Sequence, residues 1–176
     1  MDTKYLEEKY RQSVLVFIVY FFITCLTGIT YAQSGPAQSI PDFTFYKMDG
    51  QPFSRKNLTI KKKIVIVFFD VTCDHCQKEL KAISEKIEEF RKAELYLISM
   101  DNVPGIKLFM KKYASKMNGK ANVTLLTDLN QQFIIRFLPV QYPATFVYGA
   151  NWRLIKYFGQ NSKVADIISA VNKQVK

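Results

Sequence analysis

The sequence of 176 residues predicts an α/β fold with a largely parallel central sheet. Two short apolar runs rich in branched residues, "IVIVFF" at Ile64–Phe69 and "LYLISM" at Leu95–Met100, suit strands that are buried on both faces of a sheet. Segments with apolar residues at three- and four-residue steps stand between and after these runs, as amphipathic helices require. Strands that alternate with helices in this way are typical of parallel βαβ units, so we expect one α/β domain.

The first half of the domain is expected to contain two strands, a strand–helix pair and a second such pair. Phe43–Tyr46 and the segment near Phe53 are predicted to be short strands around a turn at Met48-Asp49-Gly50. A helix is predicted from Asp74 to Arg91, with an apolar face formed by Leu80, Ile83, Ile87 and Phe90. Pro104 is expected to open the next helix, because its missing N–H costs nothing there. The apolar face of that helix consists of Ile106, Phe109, Met110, Tyr113 and Met117.

The second half is expected to finish the sheet and to end in a helix. Val123–Thr127 is predicted to be a third strand, followed by a short helix with the apolar residues Leu129, Phe133, Ile134 and Phe137. Ala144–Tyr148 and Leu154–Phe158 are predicted to form a hairpin around Gly149–Arg153. A final amphipathic helix is indicated by Val164, Ile167, Ile168, Val171 and Val175.

The N-terminus indicates export. Lys4 and Arg11 precede the apolar run Val14–Ile29, and small residues at Thr30 and Ala32 suit cleavage after Ala32. As a helix this run would span about 24 Å, short of the ~30 Å hydrocarbon core of a bilayer. We therefore predict a signal peptide at residues 1–32 in preference to a retained membrane anchor through residues 14–29. A linker at 33–39 and a domain at 40–176 would follow, in the periplasm or cell envelope.

The excess of basic residues does not indicate a nucleic-acid partner. The net charge is +10, but the lysines are scattered among acidic residues and only Lys61-Lys62-Lys63 forms a tight run. Charges spread in this way are typical of a solvated surface. The chain also lacks a Gly-rich phosphate loop and zinc-finger spacing. We expect no nucleic-acid partner.

Two cysteines in "FFDVTCDHCQKEL", Phe68–Leu80, are the candidate reactive groups. Cys73 is predicted to lie where a buried strand gives way to a helix, facing the unpaired N–H groups and the positive end of the helix dipole. Both effects favour the thiolate, which is the reactive species. Cys76, one turn later, would be more buried and could attack a mixed disulfide on Cys73. Between them, a protonated His75 would stabilise a thiolate and Asp74 would oppose this, so the direction of electron flow stays open.

A C-x-x-C motif between a strand and a helix in an α/β pattern resembles the thioredoxin fold. More narrowly, the chain resembles the exported thiol–disulfide oxidoreductases of the TlpA/ResA type. The resemblance depends on Pro41–Ser54, Lys62–Leu80 and Gln141–Gln160, which are similar to the family's N-terminal hairpin, active-site region and proline loop with its hairpin. It implies a thioredoxin-like fold with a central mixed sheet flanked by helices and an N-terminal hairpin extension.

The resemblance also implies roles for individual residues. Cys73 would attack or be attacked, and Cys76 would resolve the mixed disulfide. Glu79 corresponds to a buried glutamate beneath the dithiol in ResA-type proteins and could exchange a proton with Cys76. Pro143 would be a cis-proline that faces the dithiol, and Tyr142 before it would bind the substrate backbone. The implied partners are cysteine-containing exported proteins and an unidentified redox partner, without a cofactor.

Three positions depart from these families. Thr72 stands where tryptophan is usual before the first cysteine, and Val67 stands where thioredoxin has a buried aspartate. Trp152 occupies a hairpin turn where the family favours glycine. The change at Thr72 puts the usual contact surface around the active site in doubt.

Other functions fit the residues less well. A structural zinc takes four ligands, but Cys73, His75 and Cys76 are the only soft candidates after the N-terminal run, so no metal site is expected. Peroxiredoxins have a P-x-x-x-T-x-x-C pattern. Here Ile66 stands at the position of its proline and Asp70 at the position of its threonine. A thiol peroxidase and a thioredoxin-fold binding domain with an idle dithiol remain the two alternatives.

Overall fold

The computed structural model describes residues 10–18 and 35–173, which belong to two separate units, Met1–Gln33 and Ser34–Lys176. In the first unit, residues 10–18 are helical with exposed side chains. Within these two ranges, the structure contains no helix that is both long enough and apolar enough to cross a membrane. Most of Val14–Ile29 and the cleavage site after Ala32 lie outside the described residues, so the signal peptide stays a prediction.

The second unit is built on a seven-stranded mixed sheet. Its strands are β1 (Thr44–Lys47), β2 (Pro52–Ser54), β3 (Lys63–Phe68), β4 (Ala93–Ser99), β5 (Val123–Thr127), β6 (Ala144–Tyr148) and β7 (Leu154–Phe158). Its α-helices are α1 (Asp74–Glu85), α2 (Val103–Tyr113), α3 (Gln132–Phe137) and α4 (Val164–Asn172). The strand order is β2-β1-β5-β4-β3-β6-β7, with β3, β4 and β5 parallel and the other pairs antiparallel. The mixed sheet and the N-terminal hairpin at one edge confirm the predicted architecture.

The sheet divides the interior into two cores, and β3 contributes side chains to both. Val65 and Val67 face a mainly aliphatic core beneath α1, α2 and α4, while Ile66 and Phe68 face an aromatic core. Side chains alternate because successive residues of a strand point to opposite faces of the sheet. The aromatic core includes α3 and the N-terminal hairpin. The ring of Phe133 on α3 stacks on Phe68 and Phe137, and the hairpin residue Phe45 packs against it at a tilt. The helix that carries the cysteines is therefore held on the aliphatic face.

The helix after the cysteines is shorter than predicted. It was expected to reach Arg91, but α1 ends at Glu85 and a 3-10 turn follows at Ile87–Phe90. A 3-10 turn places residues i and i+3 on one side, so Ile87 and Phe90 are buried together. The tighter winding lets both side chains enter the core just before β4 begins.

Smaller differences concern the ends of the other helices. Pro104 lies in the first turn of α2, as predicted, and the side chain of Asn102 caps this helix by accepting a hydrogen bond from the N–H of Gly105 at 2.8 Å. Met117 is buried as expected, but in a separate 3-10 turn after α2. Leu129 was expected on the short helix and instead lies before α3, where it is exposed. The predicted end of the last helix at Val175 lies outside the described residues.

The domain begins earlier than residue 40. The N–H of Ala37 donates to the carbonyl oxygen of Phe137 at 2.9 Å, and the hydroxyl of Tyr148 donates to the carbonyl oxygen of Ala37 at 3.0 Å. Ser39 forms a β-bridge with Arg153. Residues 37–39, which the sequence placed in a linker, are thus part of the folded unit.

The hairpin turn between β6 and β7 accommodates Trp152 through contacts of its side chain. The residue has a φ of +63°, which explains why glycine is favoured there. The indole N–H of Trp152 donates to the carbonyl oxygen of Thr59 at 3.3 Å, and the guanidinium of Arg55 lies 5.0 Å from the ring centroid. These two contacts help to stabilise an otherwise strained backbone conformation.

Candidate active site

Cys73 lies at the start of α1, where the sequence predicts it. It is the N-cap residue of this helix, and its side chain is half-buried. Its sulfur accepts a hydrogen bond from the backbone N–H of Cys76 at 3.3 Å. The unpaired N–H groups of the first turn of α1 therefore face this sulfur. Cys73 is the more accessible member of the pair.

Cys76 lies in the first turn of α1 and is fully buried. Burial raises the pKa of its thiol well above the ordinary value, and the nearby Cys73 and Glu79 act in the same direction. The thiol of Cys76 therefore keeps its proton at neutral pH. To act as a nucleophile, it must pass this proton to a neighbouring base.

Glu79 is such a neighbouring group. It lies on the same helix with only 7% of its surface exposed, which agrees with the burial that the resemblance implies. Burial raises the pKa of Glu79 to about 7, against a smaller opposing effect of a hydrogen bond from Thr145. The hydroxyl of Thr145 donates to Oε1 of Glu79 at 2.6 Å. This carboxyl group can therefore both accept and release a proton near neutral pH.

Thr145 is a site residue that the sequence did not reveal. It lies on β6, where it pairs with Val67 of β3, and two residues after Pro143. The only signal was a short hydroxyl side chain in the apolar strand "ATFVY". Position 67, which carries a buried aspartate in thioredoxin, is apolar here, and the buried carboxyl group is supplied by Glu79 from the helix instead.

The loop before β6 lies beside the dithiol. The Tyr142–Pro143 peptide bond is cis, as the resemblance implies. The Tyr142 ring packs against Phe68 with 5.1 Å between centroids. Burial raises the pKa of Tyr142, and Asp70 and Cys76 contribute smaller effects in the same direction.

A second carboxylate shapes the loop that leads into the dithiol. Oδ1 of Asp70 accepts hydrogen bonds from the backbone N–H of Thr72 at 2.7 Å and from its hydroxyl at 2.6 Å. Oδ2 of Asp101 accepts a hydrogen bond from the N–H of Val71 at 3.0 Å, which ties the loop to the end of β4. Thr72, the departure from the usual tryptophan, is thus part of a local hydrogen-bonded turn.

The two residues between the cysteines differ in their surroundings. Asp74 is exposed in the first turn of α1, while His75 is half-buried and lines a cleft that Glu79 and Pro143 also line. Within 10–18 and 35–173, the structure contains no group of three or more histidine, cysteine, aspartate or glutamate side chains placed to hold a metal ion. The titratable groups that the structure brings together at this end of α1 are two thiols and the buried carboxyl group of Glu79.

The fold and the strand–C-x-x-C–helix arrangement together define a thioredoxin-like protein. Residues 36–157 match the AhpC/TSA family, so this chain belongs to that family. Peroxiredoxin Q from the chloroplasts of Arabidopsis thaliana is 33% identical over 105 residues, which make up 58% of this chain and 46% of that protein. The chain thus spans about half the length of this relative.

Solved structures share the fold at low sequence identity. A secreted disulfide oxidoreductase of Mycobacterium tuberculosis, homologous to E. coli DsbE, is 22% identical with a TM-score of 0.60, covering 73% of this chain and 93% of that one. Peroxidoxin BcpB from the same organism is 16% identical with a TM-score of 0.63, covering 77% and 95%. These similarities confirm the thioredoxin-like fold, and the family supports a redox activity in general.

Proposed function

We propose that this protein is an exported thiol–disulfide oxidoreductase of the TlpA/ResA type, which exchanges the Cys73–Cys76 dithiol with disulfides of exported proteins. The observation that carries this proposal is the asymmetry of the pair. Cys73 is accessible at the start of a helix, while Cys76 is buried. Glu79, whose pKa is about 7, is near enough to Cys76 to raise the pKa of its thiol. An accessible nucleophile, a protected resolving thiol and a proton acceptor are the groups that this reaction requires.

The first step joins the client to Cys73. The Cys73 thiolate attacks one sulfur of the client disulfide, so that a bond between Cys73 and the client forms as the client's own disulfide bond breaks. The second client sulfur leaves as a thiolate and takes a proton from the solvent. Tyr142 and Pro143 lie beside the dithiol and would align an extended client segment during this attack.

The second step releases the client and oxidises the protein. Cys76 gives its proton to the Glu79 carboxylate and attacks the sulfur of Cys73. The Cys73–Cys76 disulfide forms as the bond between Cys73 and the client breaks, and the client sulfur that was bonded to Cys73 leaves as a thiolate, which is then protonated. An unidentified thiol partner would reduce the disulfide again, and the same steps in reverse would oxidise a client. Asp74 and His75, beside the two sulfurs, would tune which direction is favoured.

The test is a single-turnover reaction of the reduced protein with a peptide that contains one disulfide. The wild-type protein should convert the peptide to its dithiol and become oxidised at Cys73–Cys76, and Cys73→Ser should abolish this conversion. Ser169→Ala, at an exposed position of α4 that does not line the cleft beside Glu79, serves as the control and should leave the rate unchanged. Reaction of Cys73→Ser at the wild-type rate, or no reaction of the wild type, would show that the proposal is wrong.

Thiol peroxidase activity is the second candidate, favoured by the 33% identity with peroxiredoxin Q. The Cys73 thiolate would attack a peroxide O–O bond to give a sulfenic acid and water, and Cys76 would then displace water to form the disulfide. One observation argues against a peroxidase. The position three residues before Cys73, which is threonine in the peroxiredoxin pattern, is Asp70 here, and its carboxylate accepts two hydrogen bonds from Thr72. Hydrogen peroxide in the single-turnover assay separates the two candidates. A rate constant with peroxide above that with the disulfide peptide would favour the peroxidase.

A further inference from the structure

A cleft lies beside the buried carboxyl group, between α1 and the start of α4. It has a volume of about 420 Å³, and Glu79 and Pro143 are among the residues that line it. His75 lines it as well and follows Cys73 by two positions. The cleft therefore borders the turn of α1 that carries the two cysteines.

The rim of this cleft carries mainly positive charge. Lys78 and Lys86 contribute from α1, and Lys163 contributes from the residue before α4; all three are exposed. Nζ of Lys86 lies 3.9 Å from Oε1 of Glu89, so its charge is partly offset. Neither Lys78 nor Lys163 forms an ion pair with another residue of the described ranges 10–18 and 35–173.

Negative charge in the cleft is small by comparison. Glu79 is the one carboxyl group among the described residues that line it, and its pKa of about 7 leaves it only partly ionised at neutral pH. The first turn of α4 borders the cleft without a side-chain cap and carries partial positive charge, which the exposed Asp166 in that turn partly offsets. The cleft thus presents a cationic surface next to the dithiol.

Building on the proposed function, we propose that this cleft binds an acidic segment of the client protein that flanks the reacting cysteine. A client segment extended along the loop at Pro143 would place side chains near its cysteine between Lys78 and Lys163. Acidic side chains there would meet the two lysines that have no carboxylate partner. Exposed charge pairs of this kind mainly speed association with the correct partner, so the preference appears in the second-order rate constant.

The test compares three peptides of equal length with one disulfide each and with acidic, neutral or basic flanking residues. In single-turnover reactions with the reduced protein at low ionic strength, the acidic peptide should react about fivefold faster than the neutral one, and the basic peptide should react more slowly. Salt at about 1 M reduces the Debye length to about 3 Å, so it should bring the three rates together.

Two pairs of substitutions locate the preference. Lys78→Gln with Lys163→Gln should bring the ratio of the acidic-peptide rate to the neutral-peptide rate close to one. The matched control, Lys81→Gln with Lys107→Gln, removes two exposed lysines outside the cleft and should preserve the advantage. Oxidised glutathione tests a small anion in place of a peptide segment, and the cleft substitutions should slow its reaction less than they slow that of the acidic peptide.

The outcomes distinguish this inference from the proposed function. Equal rates for all three peptides would overturn the acidic-client inference and leave disulfide exchange intact. A preference that persists in the cleft variant, or that disappears in the control, would overturn it as well. So would a rate with oxidised glutathione that falls as much as that of the acidic peptide in the cleft variant. If no peptide reacts, the proposed function is wrong and the inference falls with it.

Discussion

Cys73 and Cys76 stand three residues apart on one helix, yet their surroundings are nearly opposite. Cys73 is half-buried at the helix start and accepts a backbone N–H, whereas Cys76 is fully buried and its pKa is raised. The difference comes from position, because the N-cap faces out of the helix end and the first turn packs against the sheet. Two thiols with the same burial and surroundings would not determine which one attacks the client and which one resolves the mixed disulfide. Here the geometry favours attack at Cys73 and resolution by Cys76.

The contrast is tested most strongly by the rates at which the two thiols are alkylated. In the folded, reduced protein at neutral pH, Cys73 should react with iodoacetamide more than about a hundredfold faster than Cys76, because Cys76 is buried and protonated. Mass spectrometry of the labelled peptides gives both rates, and in denaturing urea they should converge. Equal rates in the folded protein would contradict the comparison. A rate for Cys73 no higher than that of a short cysteine peptide would support the idle-dithiol alternative.

The buried side of the comparison has a consequence for stability. Folding raises the pKa of Glu79 from an ordinary 4.5 to about 7, so the folded state holds this proton over a range in which the unfolded chain has lost it. The contribution of this protonated carboxyl group to the free energy of unfolding is fully present below pH 4.5 and is lost as the pH rises through about 7. It amounts to about 3 kcal/mol at most.

Glu79→Gln should therefore remove a fall in unfolding free energy between pH 4.5 and about 7, as measured by urea denaturation across this range. Glu85→Gln, an exposed position on the same helix, is the control and should keep the wild-type profile. Glu79→Gln should also slow the attack of Cys76 on the mixed disulfide, and the rate of this step should depend less on pH near 7 than it does in the wild type. A wild-type pH profile for resolution in Glu79→Gln would remove this residue from the mechanism.

Thr145→Val tests the surroundings of Glu79, the proton acceptor beside the buried Cys76, and a smaller effect is expected. The hydroxyl of Thr145 stabilises the ionised form of Glu79, so its loss should raise the pKa of Glu79 further, by about one unit or about 1.4 kcal/mol. NMR titration of the Glu79 side-chain carbon measures this shift. Thr127→Val, another buried strand position whose hydroxyl bonds to the Asp101 carbonyl, should leave that titration unchanged. A shift in the control alone would contradict the role of Thr145.

The smallest effect is expected from the loop beside the pair. The N–H of Val140 donates to the hydroxyl of Tyr157 at 3.0 Å, which fixes the loop that leads to Pro143. Tyr157→Phe removes this bond, worth about 1 kcal/mol, and should raise KM for a disulfide peptide severalfold while the alkylation contrast stays intact. Tyr113→Phe, on α2, is the control. A loss of the contrast between Cys73 and Cys76 in Tyr157→Phe would show that the loop does more than position the substrate.

Much of the fold follows from the sequence because its signals are periodic. β5, β6 and β7 have the predicted bounds, since apolar runs between turn residues define a buried strand locally. The placement of Cys73 is local for the same reason. The early start of the domain at Ala37 was missed, because a few small residues carry no periodicity that indicates packing.

The partners within the site were harder to predict. Glu79 and Thr145 are 66 residues apart in the chain, and a lone hydroxyl in an apolar strand does not indicate which side chain it meets. The burial of Glu79 was predicted from the resemblance to a family and not from its position on the helix. The role of Asp70 in the loop was also missed, because a turn-forming aspartate can bond to any nearby N–H or hydroxyl.

The order of events is tested most directly by trapping the intermediate. Cys76→Ser, mixed with a disulfide peptide and quenched with acid, should accumulate a mixed disulfide, and mass spectrometry should place the bond on Cys73. Cys73→Ser should form no comparable adduct on the buried Cys76. A trapped bond mainly on Cys76, or adducts of equal yield in the two variants, would contradict the division of roles on which this account depends.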